Sequence, residues 1–272
     1  MPRQKRFFIP GSYYHIIARG NKKEHIFLDD NDFNFFLFLL QKNWEKKPLN
    51  ILAFSLMSNH LHLLVKASAE PLSSYFQPVL TTYAIYFNRK YQKTGHVFED
   101  RFKSFLIDSD DYLYEVFRYI LLNPVRAYLT KDLSTYKWTS FYYFYHQDKA
   151  QPFMDFSIFF EICPDGSQNL ESLTIFLAES LIKEQVWPSN LDDHLQLFHL
   201  QYLARKICKI KNIDPNSFFN SKYKNSVVDA QIEFALQAKE QFNIEMKQIA
   251  NFLGKDYRGF LKTIRTRKNK QK

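Results

Sequence analysis

From residue 12 to residue 19 apolar and polar side chains alternate, the period of a half-buried strand. Tyr14, Ile16 and Ala18 fall on one face, and Tyr13, His15, Ile17 and Arg19 on the other. Gly20-Asn21 turns the chain. The pattern then shifts to a helix rich in Phe and Leu over residues 32–44, ended by Lys46-Lys47-Pro48. Two further strands, residues 50–57 and 60–66, are separated only by Ser58-Asn59 and form a hairpin. A second helix over residues 72–91 breaks at Thr94-Gly95, and residues 102–107 read as a fourth strand. Ser109 is an N-cap with Asp110 and Asp111 in the first turn, and the helix that follows runs to Leu122, where Asn123-Pro124 stops it.

The resulting order is β-α-β-β-α-β plus one helix. The fold class is therefore α+β: a ferredoxin-like split βαβ antiparallel sheet with two helices on one face. The added helix, which bears Tyr119, can cover the other face. Residues 1–150 form one module, residues 151–190 a connector, and residues 191–272 an all-α, helix-turn-helix-like module.

Charge sharpens this division. Residues 1–150 hold 20 Lys/Arg against 14 Asp/Glu, a net of +6; residues 151–200 hold 1 against 8, a net of −7; residues 201–272 hold 16 against 6, a net of +10. Two basic modules joined by an acidic connector suit a polyanionic partner, and the same charges also fit ordinary solubility. Cys163 and Cys208 are far apart, which excludes a disulfide scaffold or a cysteine-based zinc module. The longest uncharged stretches, residues 48–65 and 71–88, contain Asn, His, Ser, Gln and Thr and do not read as spanning helices. No signal-peptide core follows the basic N-terminus. A cytoplasmic protein is expected.

His60 and His62 are two apart on a strand, so both imidazoles project from one face while Leu61, Leu63 and Val65 project from the other. Two imidazoles on one sheet face suit a divalent metal, and they equally suit an ordinary hydrogen-bonded pair. His15 can support a neighbouring ligand from the second strand face, or be structural. Tyr119 and Asn123 are four apart and share a helical face. A tyrosine hydroxyl can act as a nucleophile and an amide oxygen can complete a metal site. The competing reading packs Tyr119 into an aromatic core with Asn123 as a helix cap.

These residues stand in a longer series. Tyr14-His15, Arg19-Gly20-Asn21, Ile26-Phe27 and Asp29-Asp30 precede Met57-Ser58-Asn59-His60. Tyr86-Phe87-Asn88, Gly95-His96-Val97-Phe98, Arg101-Phe102-Lys103-Ser104 and Tyr119-Ile120 follow, then Asn123-Pro124-Val125-Arg126-Ala127, Trp138 and Ser140. Over roughly residues 1–145 the chain resembles the HUH single-tyrosine transposases of the insertion-sequence 200-like group, and most of all their REP-associated branch.

That resemblance implies a DNA strand transferase. Tyr119 would be the nucleophile, with His60, His62 and Asn123 as ligands of Mg²⁺ or Mn²⁺. Single-stranded, hairpin-associated DNA would be cleaved to a 5′-phosphotyrosine and a 3′-hydroxyl, and strands rejoined by reversal. Arg101 and Lys103 fall in the family's Arg-Phe-Lys-Ser motif. The run Tyr86-Phe87-Asn88-Arg89-Lys90-Tyr91 mixes rings with cations, which suits single-strand binding as well as it suits a solvated helix edge. Tyr86 and Tyr91 are alternative nucleophiles that lack the Asn123 partner.

In the tail, Ala250 and Gly254 with Ile249, Leu253 and Leu261 as core positions resemble a helix-turn-helix. Residues 256–266 would form the recognition helix, offering Arg258, Lys262 and Arg265 to DNA, with residues 266–272 as a phosphate-binding arm. Gly259 within that helix costs about 1 kcal/mol relative to alanine. A basic bundle that only stabilises the first module is the alternative. For the whole chain, two other functions compete with transposition: a catalytically silent DNA-binding protein of the same fold, and a metallohydrolase of small phosphates. The chain is expected as a monomer or homodimer.

Overall fold

The alternating segments pair into a four-stranded antiparallel sheet. The strands are β1 (Tyr13–Arg19), β2 (Asn50–Met57), β3 (His60–Lys66) and β4 (Lys103–Ile107), in the order β2–β3–β1–β4. The structure is a computed structural model, which describes residues 8–155, 173–174, 177, 191–220, 225–242 and 244–270. Helix α1 (Asp30–Trp44) joins β1 to β2, and α2 (Leu72–Lys90) joins β3 to β4. The α+β split βαβ arrangement expected from the sequence is the one observed. The acidic connector over residues 151–190 falls almost wholly outside the described residues.

Each sheet face has its own cover. Tyr14, Ile16 and Ala18 of β1 and Leu61, Leu63 and Val65 of β3 enter one core with Phe33, Phe36 and Leu40 of α1 and Phe76, Val79 and Tyr83 of α2. Fully burying a side chain of this size stabilises the fold by about 1.5–3 kcal/mol. Helix α3 (Asp110–Arg126) packs against β2, β3 and β4 and covers the opposite face. Its start is capped as expected, Ser109 Oγ accepting from the Tyr112 amide at 3.3 Å. β1 is therefore buried on both faces, and the side of it that carries His15, expected to be polar, is interior as well.

The end of α3 corrects the sequence reading. Asn123-Pro124 does not stop the helix, which continues to Arg126. Proline lacks the N–H that would bond the carbonyl four residues back and disfavours a helical residue before it. Packing outweighs that penalty, since Leu121, Leu122, Asn123 and Pro124 are all buried. The Ala127 amide then bonds the Asn123 carbonyl at 2.9 Å, and the Leu129 amide bonds the Pro124 carbonyl at 2.9 Å.

The outer edge of β2 is not left open. The Leu56 amide donates to the Trp138 carbonyl at 2.8 Å, Tyr136 Oη donates to the Leu56 carbonyl at 2.9 Å, and Ser140 Oγ accepts from the Phe54 amide at 3.0 Å. Helix α4 (Ser140–Tyr145) follows. An edge strand covered in this way cannot recruit a stray strand.

The chain divides into two compact units, Met1–Gln185 and Val186–Lys272. The second is helical throughout its described residues: α5 (Leu191–Lys211), α6 (Pro215–Asn220), α7 (Asn225–Phe242), α8 (Met246–Phe252) and α9 (Tyr257–Lys270). Its core includes Leu203, Ile207, Phe218, Phe234, Ile249, Ala250 and Leu253. Leu261, expected in that core, is only half-buried; Phe260 and Ile264, four apart on one face of α9, take its place.

Candidate functional site

Register decides which side chains meet beneath α3. In the antiparallel ladder His62 lies opposite Ile17 of β1 and Ser55 of β2, and His60 lies opposite Arg19 and Met57. Directly opposed residues share a face. His15, two residues before Ile17, is thereby a diagonal neighbour of His62, and the rings touch: His15 Nε2 is 2.9 Å from His62 Nδ1. His60 and His62 stand edge to face with ring centroids 5.0 Å apart. Leu61 and Leu63 point the other way, into the core under α1 and α2.

Helix α3 brings Tyr119 onto this group. Its ring centroid is 5.3 Å from that of His62 and 6.0 Å from that of His15. Asn123, one turn further along α3, is buried on the same side of the helix. Arg126 is a helical heptad beyond Tyr119. Its guanidinium lies 5.3 Å from the centre of the Tyr119 ring, and its Nη1 donates to the Tyr119 carbonyl at 3.4 Å. The site is closed: Tyr119 is 1% exposed and His62 0%.

The imidazole nitrogens are differentiated by their partners. His60 Nδ1 is 2.6 Å from Asn59 Oδ1, an acceptor, so Nδ1 carries the proton. His62 Nδ1 faces His15. With Nδ1 of each ring committed in this way, Nε2 is the nitrogen that each can give to a metal. Burial pushes the His15 pKa down to about 3, so His15 is neutral at ordinary pH. Among the described residues no group of three or more His, Cys, Asp or Glu side chains forms a metal cage. His60 and His62 offer two imidazole nitrogens, a donor pair that fits a divalent ion completed by oxygen ligands.

The expected DNA-binding residues are distributed unevenly. Lys103 is exposed at the β4 edge of the histidine face, opposite Ile17, and Arg101 just before it is exposed beside a cleft of about 1080 Å³ along α2. Arg89 is exposed near the end of α2. Lys90 does not match its expected role. Its ammonium is held 2.8 Å from Asp29 and 2.7 Å from Asp32, whose side chain is fully buried and requires a counter-charge. Tyr86 and Tyr91 also donate to Asp32, at 3.1 and 2.7 Å. That polar network belongs to the α1–α2 side of the sheet, which removes both tyrosines as alternative nucleophiles. In the second unit Arg258, Lys262 and Arg265 are all exposed on α9, while Arg267 pairs with Asp229 at 3.3 Å.

Three residues at the site had no role assigned from sequence: Asn59, Arg19 and Arg126. Asn59 was signalled only by its place before His60. Arg19 was on the correct face by period alone, but its pairing with His60 needs the register. Arg126 shares the Tyr119 face only because the helix runs through Pro124.

Residues 9–123 match the family described as Transposase IS200 like. A solved structure described as that of the REP-associated tyrosine transposase bound to a REP hairpin aligns at 20% identity with a TM-score of 0.45, covering 58% of this chain and 96% of that one. No curated protein matches.

Proposed function

We propose, from the match of residues 9–123 to the family described as Transposase IS200 like, that this chain cleaves and rejoins single-stranded, hairpin-associated DNA through Tyr119. The observation that carries the proposal is the meeting of Tyr119, from α3, with His60 and His62 on a sheet face that the α1–α2 core does not use.

His60 Nε2, His62 Nε2 and the Asn123 side-chain oxygen would hold Mg²⁺ or Mn²⁺; when bound, the ion neutralises charge on the scissile phosphate. Imidazole donors favour Mn²⁺ of the two. Tyr119 Oη attacks phosphorus, the bond from phosphorus to the 3′ oxygen breaks, and that oxygen leaves as the 3′-hydroxyl with a proton. The DNA 5′ end remains on Tyr119 as a phosphotyrosine. Attack by another 3′-hydroxyl reverses the step and joins strands without a nucleotide cofactor. Lys103 and Arg101 supply cations at the edge of the face, and Arg258, Lys262 and Arg265 hold DNA from the second unit. Because Tyr119 is buried, α3 must shift from the sheet before a phosphate reaches it.

The burial of Tyr119 also favours a second reading, a DNA-binding protein of the same fold that does not cut. One experiment separates the two. Labelled single-stranded hairpin DNA is incubated with the protein and Mn²⁺ and resolved on a denaturing gel. A covalent protein–DNA band is expected that disappears in Tyr119→Phe and with chelator. Tight binding without a band on any hairpin establishes the silent binder.

A further inference from the structure

A third imidazole, that of His15, lies within hydrogen-bond distance of His62 Nδ1. We propose that His15 is a positioning residue for the metal site: its Nε2 accepts the Nδ1 proton of His62, which fixes the His62 ring and aims Nε2 at the ion. The inference deepens the reading of His60 and His62 as ligands and rests on it.

The geometry supports this role in three ways. First, the contact is short, 2.9 Å between His15 Nε2 and His62 Nδ1, and both rings are fully buried, so solvent does not compete for it. Second, His15 lies on the central strand β1, held between β3 and β4 by paired backbone, with its ring 6.3 Å from Phe105 and 6.0 Å from Tyr119. It therefore has little freedom to swing away. Third, the two candidate ligands are served in parallel, His60 Nδ1 by Asn59 Oδ1 and His62 Nδ1 by His15 Nε2. An acceptor at Nδ1 is what a ligating imidazole needs, since it sets the tautomer and raises the basicity of Nε2. His15 Nδ1 then carries the proton, and it has no hydrogen-bond partner among the described residues.

The test is a metal titration. Mn²⁺ binding to the full chain is measured by calorimetry or electron paramagnetic resonance without DNA, with thermal unfolding as a control of the fold. His15→Phe preserves the ring volume and removes the acceptor. His15→Gln restores an oxygen near the position of Nε2. The expected result is Mn²⁺ affinity weaker by roughly 10–100-fold in His15→Phe and returned to within a few-fold of the parent in His15→Gln. His60→Ala and His62→Ala serve as reference variants. If both lose Mn²⁺ binding while His15→Phe binds as the parent does, the role of His15 is overturned and the metal site stands. Equal weakening in His15→Phe and His15→Gln overturns the acceptor role. Parent-like binding in His60→Ala and His62→Ala overturns the metal site itself.

Discussion

At the residue scale, the protein keeps two buried polar groups under control by different means. His15 is buried neutral, with its pKa lowered to about 3 from the ordinary 6.5. In the unfolded chain it takes up a proton below pH 6.5, while in the folded chain it resists until about pH 3. Stability from this residue is therefore complete above pH 6.5 and falls as the pH drops through that window, by up to about 1.4 kcal/mol per pH unit. Urea unfolding at pH 7 and pH 5 should show the loss, and His15→Phe should remove most of the difference. The side chain of Asp32 is fully buried and held by Lys90, Tyr86 and Tyr91. Lys90→Met should destabilise the chain by roughly 1.5–3 kcal/mol in chemical denaturation, the range for a hydrogen bond to a charged group. The period of two had already placed His60 and His62 on one face and the leucines on the other, and the period of 3.6 had paired Tyr119 with Asn123. The contact of His15 with His62 was not legible, because a diagonal neighbour depends on strand register. Nor was the loss of Lys90 to Asp32, since their separation of 58 residues closes only when α1 and α2 pack.

At the element scale, the sequence reading succeeded where local signals agreed and failed where packing overruled one. The four strands and helices α1, α2 and α3 follow their periodicity within a residue or two at most boundaries. The exception is the end of α3, where the local rule for Asn123-Pro124 gives way to burial of four consecutive residues. That extension carries Arg126 onto the ring of Tyr119. The turn after β1 is a case in which the need for glycine is spatial rather than torsional. Gly20 has an ordinary φ of −63°, but a Cβ there would stand 2.0 Å from the Glu24 carbonyl oxygen. Its amide donates to the Asn59 carbonyl at 2.8 Å, so displacing this turn pulls on the residue that orients His60. Gly20→Ala is expected to cost roughly 1–3 kcal/mol of stability, the range for overpacking. It should also weaken Mn²⁺ binding, whereas Gly95→Ala, strained by a φ of +91° but with no heavy atom within 4 Å of the new Cβ, should lose stability and leave metal binding unchanged. Calorimetry on the two variants side by side checks this.

At the scale of the whole molecule, the division of charge implies a division of labour. The first unit contains chemistry-bearing side chains, but its cations are partly consumed internally, as Lys90 illustrates. The second unit has the larger excess of cations. Its last helix, α9, has six Lys/Arg and no acidic residue in fourteen positions. Helix α8, the turn at Gly254 with φ of +64°, and α9 follow one another as helix, turn and helix. Gly259, which counted against a helix there, sits in the first turn, where its amide donates to Asp256 Oδ2 at 2.7 Å; a Cβ would crowd that cap at 3.1 Å. Ile264 and Phe260 fasten α9 to the core, and Arg267 pairs with Asp229. Arg258, Lys262 and Arg265, spaced four and three apart, occupy one exposed helical face. If α9 serves as a recognition helix, this is the face that would meet the major groove of duplex DNA. Replacing all three with alanine should weaken duplex binding and reduce the slope of log affinity against log salt by roughly 2–3, about 0.9 for each phosphate contact removed. The same variant should still form the covalent Tyr119 adduct when single-stranded hairpin is supplied in excess, and Tyr119→Phe should bind duplex as the parent does. Loss of adduct in the triple variant under those conditions would show that the two units do not divide DNA holding from DNA cutting.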